Sequence, residues 1–254
     1  VNAYIRNKIV PVAFGLCAIG LAIAAVEMLI RIGAVNRHIV PMPSQIALAF
    51  ERVIREEDIL NRFLLTASEC LAATVLLSTV GIGLGVLLHR IPLLRQATET
   101  WIAAMASAPL VLLYPLFLVI FGRSALTIVM MAFVAALPPV ILKTIEGLAG
   151  TRKVLINVGR SFKLTPAQLY QKVLFPSALP SIFVGVKLGM IFALINIVGV
   201  EFLINFGGLG QLINELAERY DLPGTYAAIC FVILVSIGFF LTVERIEQWL
   251  RPAA

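Results

Sequence analysis

Six stretches of this 254-residue chain are apolar over a length that can cross the hydrocarbon core of a bilayer, which takes about 20 helical residues. They fall at residues 10–30, 63–88, 101–121, 125–142, 181–204 and 225–243. A single water-facing core cannot absorb six such runs. The composition agrees, with 60% hydrophobic and only 13% charged residues, against about half and a quarter in ordinary soluble domains. In hydrocarbon every backbone N–H and C=O must be satisfied within its own segment, which makes each span a helix. The expected fold class is therefore all-α: a polytopic membrane protein with six transmembrane helices, forming one transmembrane domain over residues 1–254. The first run is too long for a removable signal peptide and lacks a small-residue cleavage site before a polar sequence, so it reads as a retained helix.

Orientation follows from the basic residues between the spans. With the N-terminus inside, the inner flanks hold 12 of them (Arg6, Lys8, Arg90, Arg95, Lys143, Arg152, Lys153, Arg160, Lys163, Lys172, Arg245 and Arg251) against four acids, while the outer flanks hold seven of each. The positive-inside rule then puts both termini in the cytoplasm. The formal charge of +6 is accounted for by this topology; it implies membrane lipid as a partner and no nucleic acid. Cys17, Cys70 and Cys230 lie far apart in apolar runs, with no paired spacing and no histidine cluster nearby. That pattern indicates neither a disulfide framework nor a zinc site.

Two connecting segments carry helical patterns of their own. In the first outer segment, Ile46, Ala49, Phe50, Val53 and Ile54 line one face of a helix over residues 44–57, with Ser44 as its N-cap. It reads either as an amphipathic helix on the outer membrane surface, its charged run 51–58 toward water, or as a solvated connector. The longest inner segment, residues 143–180, is more informative. Thr165-Pro166-Ala167-Gln168 is a compact helix start, with Thr at the N-cap, Pro at the first helical position and Gln completing a capping box. Leu169, Tyr170, Val173 and Leu174 give that helix an apolar face, and Pro176 and Pro180 are expected to end it. Upstream, Val154, Val158 and Phe162 predict a second short helix. Two helices with apolar faces at the cytoplasmic surface either receive a partner or pack on each other.

Within the spans, polar residues stand out. In the fifth, Gly185, Gly189, Asn196 and Gly199 share one sector, and Lys187, Leu194 and Glu201 lie roughly opposite. Gly185 and Gly189 allow close helix approach, read first as packing within the subunit. Lys187 is expected to snorkel to the inner surface, and Asn196 must find a hydrogen-bond partner across helices or in a water-filled pathway. Glu27 and Arg31 are spaced to pair, whereas Glu69 has no partner in its own helix. Ser107, Pro109, Tyr114 and Pro115 interrupt the third span, as happens where a helix lines protein or a cavity. Ser107, Tyr114, Asn196 and Glu201 are therefore the pathway or gate candidates.

The run from Asn157-Val158-Gly159-Arg160-Ser161-Phe162-Lys163 to Leu174-Phe175-Pro176-Ser177-Ala178-Leu179-Pro180 resembles the EAA loop of bacterial ABC-importer permeases. The branch most similar is that for nitrate, sulfonates and taurine. Pro109, Pro115 and Phe121-Gly122 resemble marks of its third span, and Val200-Glu201 with Gly207-Gly208-Leu209-Gly210 resembles its AE and GLG segment. Together the marks cover most of residues 66–250. In this chain the Glu-Ala-Ala is Asn157-Val158-Gly159, and the loop glycine falls on Lys163, where a positive φ is costly for a side chain.

The resemblance implies a type I ABC-importer permease fold in the bacterial inner membrane, translocating a small polar or anionic solute by alternating access. It implies as partners a second permease subunit, which can be a different chain with a standard EAA motif, two cytoplasmic ATPases and an extracytoplasmic binding protein. Val154, Asn157, Val158, Gly159, Phe162, Lys163 and Leu164 would form the ATPase-docking loop. No phosphate-loop motif occurs in the chain, so ATP and Mg belong to the ATPases and no cofactor is expected here. There is no nucleophile-elbow or zinc-protease motif, and His38 and His89 fall on opposite sides of the membrane, which leaves catalysis unsupported. The alternative is a secondary transporter or channel working without ATPases, which leaves the paired loop helices without a purpose.

Overall fold

The computed structural model describes residues 2–37 and 39–250; His38 and Arg251 lie outside them. The described residues are helical, without a strand. In chain order the helices are α1 (Asn2–Arg31), α2 (Pro43–Glu56), α3 (Ile59–Leu76), α4 (Ile82–Arg90), α5 (Pro92–Ser107), α6 (Tyr114–Phe121), α7 (Ala125–Ala149), α8 (Lys153–Ser161), α9 (Pro166–Leu169), α10 (Phe175–Ile204), α11 (Gly208–Glu218) and α12 (Leu222–Leu250). A π turn, Leu77–Gly81, joins α3 to α4, and a second, Tyr170–Leu174, joins α9 to α10.

Five continuous stretches are long and apolar enough to span a membrane: Ala13–Arg31, Ile59–Arg90, Ala125–Ala149, Pro166–Ile204 and Leu222–Arg245. The expected third span is not one rod. Pro92–Ser107 and Leu110–Phe121 form a pair bent by 92° that is long and apolar enough only when taken together, which gives six candidate spans if the pair is one and five if it is a re-entrant loop. The cause is local: a residue before proline is pushed out of the α region, and Ala108 is extended (φ −78, ψ 138) ahead of Pro109.

The prolines expected to separate the loop helix from the fifth span do not do so. Pro176 and Pro180 lie inside α10, and helical backbone is continuous from Pro166 to Ile204. A proline in a helix lacks a donor and crowds the carbonyl four residues back. Here Pro176 stands in the first turn of α10, where proline is tolerated, directly after the π turn, and Pro180 is carried within the helix.

Among the described residues, 2–37, 39–60 and 212–232 form one compact unit, and 61–211 and 233–250 another. In the first unit, Glu27 pairs with Arg31 at 2.8 Å, as the spacing predicts. The same carboxylate accepts from Ser44 N at 3.1 Å and Ser44 Oγ at 2.9 Å. Ser44 is thus drawn to Glu27 and is not the N-cap; Met42 holds that place, its N–H donating to Gln45 Oε1 at 3.2 Å. Ala49 and Val53 of α2 are buried, and Phe50 packs on Phe231 with ring centroids 6.2 Å apart. Its charges do more than face water: Arg52 pairs with Asp221, and Glu57 accepts from Arg219 at 2.9 Å.

In the second unit α7 is the core element. Ala132, Ala136, Val140 and Ile128 are fully buried, together with Leu77, Ala193, Ile197 and Val200. Small residues make the approach possible. A Cβ on Gly185 would lie 2.7 Å from Lys143 Cβ, and one on Gly189 would lie 2.8 Å from Val140 Cγ2. Gly185 and Gly189 are therefore packing glycines within the subunit, pressed on α7.

Candidate functional site: an exposed loop helix, a cleft and a buried carboxylate

All three sites lie within the second unit. The first is α8. Val154, Val158 and Phe162 recur at one-turn spacing, and they are 70%, 47% and 77% exposed. Leu155 joins them, while Asn157 and Lys163 flank the face, also exposed. Gly159 is buried on the inner side, where a Cβ would come 2.5 Å from Leu169 Cδ1 and 3.4 Å from Leu164 Cδ1 and Val173 Cγ2. Gly159 is therefore where the helix rests on the rest of its loop, and its apolar stripe is left outward.

The ends of α8 and α9 are set by local chemistry. Lys163 takes the left-handed conformation (φ 52), with Leu164 N donating to Gly159 O at 3.2 Å and Lys163 N to Arg160 O at 2.8 Å. That pairing is a Schellman stop, usually made by glycine; the lysine takes the glycine's geometry at a cost of about 1 kcal/mol. The capping box follows as predicted, with Gln168 N donating to Thr165 Oγ1 at 3.3 Å and Thr165 N to Gln168 Oε1 at 3.0 Å.

The second site is a cleft of about 350 Å³ between the bend at Pro109 and the middle of α10, lined among others by Ala108, Pro109, Val111, Phe192, Asn196 and Gly199. Asn196 Nδ2 donates to Phe192 O at 2.8 Å, which leaves its carbonyl oxygen for the cleft. Ser107 is exposed at the bend itself. Tyr114 packs against the core cluster, and neither it nor Glu201 lines the cleft.

Glu201 belongs to the third site and is fully buried. Thr66 Oγ1 donates to Glu201 Oε1 at 2.6 Å and Gly210 N to Oε2 at 2.7 Å, while Leu209 N donates to Thr66 Oγ1 at 3.0 Å. The loop can close on the carboxylate only because Gly208 has no side chain: a Cβ there would overlap the Glu201 carboxyl. Gly207 and Gly208 also hold φ of 65 and 74. The Gly207-Gly208-Leu209-Gly210 segment is therefore a clasp around Glu201. Glu69 is buried beside it, in contact with Glu201, and neither of its oxygens receives a donor.

Several partners escaped the sequence reading. Thr66 stands 135 residues before Glu201, and no local pattern links them. Lys187 Nζ lies 3.3 Å from Glu247 Oε2, beyond the sixth apolar run, and 4.6 Å from the Phe240 ring centroid.

Against known proteins, residues 78–252 match the family described as binding-protein-dependent transport system inner membrane component. The glycine betaine/proline betaine transport system permease protein ProW of Escherichia coli is 28% identical over 93% of this chain, which spans 59% of ProW. The formylaminopyrimidine transport permease protein ThiX of Halalkalibacterium halodurans is 25% identical over 89% of this chain and 92% of its own length. Among solved structures, the inward-facing MetNI methionine ABC transporter superposes with a TM-score of 0.67 at 18% identity, over 76% of this chain and 96% of that one. This shared fold and the match over most of the chain make it a multi-pass member of the binding-protein-dependent transport system inner membrane component family.

Proposed function

We propose that the chain is the transmembrane permease subunit of an ATP-driven importer and that the outward stripe of α8 receives a cytoplasmic ATPase. The observation that carries this reading is α8 itself. Four large apolar side chains within ten residues stand exposed on a helix that rests on its own loop through Gly159. Such a stripe at an aqueous surface needs a cover. A helix of this kind laid into a groove is a general mode of protein recognition.

In this reading both termini and the 143–180 segment are cytoplasmic, two ATPases supply Mg and ATP hydrolysis, and the chain itself catalyses nothing. A second permease subunit completes the pathway, and an extracytoplasmic binding protein delivers the solute. The Asn196 cleft, with Ser107 at its edge, contributes to the pathway. Tyr114 and Glu201 act from behind it, by holding α6 and α10. The solute is small and polar or anionic, in keeping with relatives named for betaine, aliphatic sulfonate and nitrate transport. A carrier working without ATPases finds no support in a family defined by its dependence on binding proteins.

Phe162→Asp tests the docking assignment, because it charges the most exposed residue of the stripe without touching Gly159. Co-purification of the ATPase is expected to fall about tenfold or more, which corresponds to the loss of one interface anchor. Unchanged recovery of the ATPase with this variant would overturn the assignment.

A further inference from the structure

We propose that Tyr170 is a positioning residue that carries displacement of α8 into α4. The inference rests on the docking reading above, since it concerns what happens after a partner moves α8. Four observations support it. Gly159 of α8 bears on Leu169 and Val173, so a push on α8 arrives on either side of Tyr170. The Tyr170 ring is buried with Leu148, Ala178 and Ile182, with Ile82 and Val86 of α4 packed against that cluster. The guanidinium of Arg90, the last residue of α4, lies 4.3 Å from the Tyr170 ring centroid, and the neighbouring His89 ring is 6.5 Å away. Tyr170 opens the π turn between α9 and α10, and such turns are points at which long helices bend.

One aromatic side chain thus joins the loop to α4, α7 and α10 at a π turn. Coupling between distant sites needs contiguous packed groups with more than one arrangement. The ring supplies the contact and the π turn supplies the freedom. The Tyr170 hydroxyl makes no well-formed hydrogen bond although Arg90 lies beside it, so the ring, packed in the cluster and faced by Arg90, is assigned the working part.

The test uses the complex isolated from the native host, with hydrogen exchange read by mass spectrometry in the presence and absence of ATP plus vanadate. In the wild type, exchange is expected to change in residues 153–164 and also in residues 82–90. In Tyr170→Leu the change at 153–164 persists while that at 82–90 shrinks about fivefold or more, the lower end of ordinary coupling strengths. Tyr170→Phe restores the wild-type response, which a requirement for the hydroxyl would not allow. Arg90→Gln, which alters an exposed head group and leaves the core intact, is expected to reduce the 82–90 response as well and serves if Tyr170→Leu fails to fold. An 82–90 response in Tyr170→Leu or Arg90→Gln equal to that of the wild type overturns the proposal, as does a wild type in which 153–164 responds and 82–90 does not. A wild type in which 153–164 itself fails to respond instead overturns the docking reading.

Discussion

At the scale of residues, Glu201 and Glu69 show how two similar groups are treated differently. Glu201 is buried but receives Thr66 and Gly210 as donors, whereas buried Glu69 receives none. Removing an acceptor strands its donors, and each orphaned buried group costs about 1–3 kcal/mol. Glu201→Ala is accordingly expected to lower thermal stability by about 3 kcal/mol, read as a fall in the melting temperature of the detergent-solubilised protein. Glu69→Gln places an amide donor where the carboxyl oxygens have none and should leave that temperature equal or higher. A Glu201→Ala variant as stable as the wild type would remove the clasp from the account. Lys163 makes a third case: glycine adopts its φ of 52 without penalty, so Lys163→Gly is expected to stabilise the loop by roughly 0.5–1 kcal/mol.

At the scale of elements, what was legible in the sequence was what is local. The Thr165–Gln168 box and the Glu27–Arg31 pair each depend on residues within a turn, and they stand where the spacing put them; the apolar runs are helical, but the third is bent and the fifth continues back to Pro166. The errors came where two local rules competed or a distant partner intervened. Ser44 is a good cap by type, but Glu27 claims its hydroxyl and N–H. Pro176 and Pro180 are good helix breakers by type, but Pro176 falls in the first turn of α10, where proline is tolerated, and α10 continues through Pro180. The clasp around Glu201 was visible only as a resemblance, because its donors come from residues 66 and 210. The packing of α10 on α7 yields a sharper prediction. A leucine at Gly185 or Gly189 has no room beside Lys143 and Val140, and overpacking of this kind costs about 1–3 kcal/mol. Gly185→Leu should reduce folded yield, while Gly83→Leu, at a glycine with nothing within 4 Å, should not.

At the scale of the whole molecule, the chain leaves much apolar surface uncovered. No residue of α5 is buried, and Leu93, Trp101 and Val119 are 79%, 76% and 86% exposed. Lipid covers such residues at no cost within a bilayer, and a second permease subunit can cover those beside the Asn196 cleft. The α8 stripe has no such alternative under the proposed topology, which puts it in the aqueous phase. Its Asn157-Val158-Gly159 in place of Glu-Ala-Ala fits a division of labour in which the second permease carries the standard motif. Under the proposed function this chain works only as part of a complex with an ATPase. Purification from the native host in mild detergent, followed by mass spectrometry of the intact assembly, tests it most directly. Two copies of a phosphate-loop ATPase and a second permease subunit are expected alongside this chain. Recovery of this chain alone, stable and without an ATPase under conditions that preserve control importers, would contradict the proposed function.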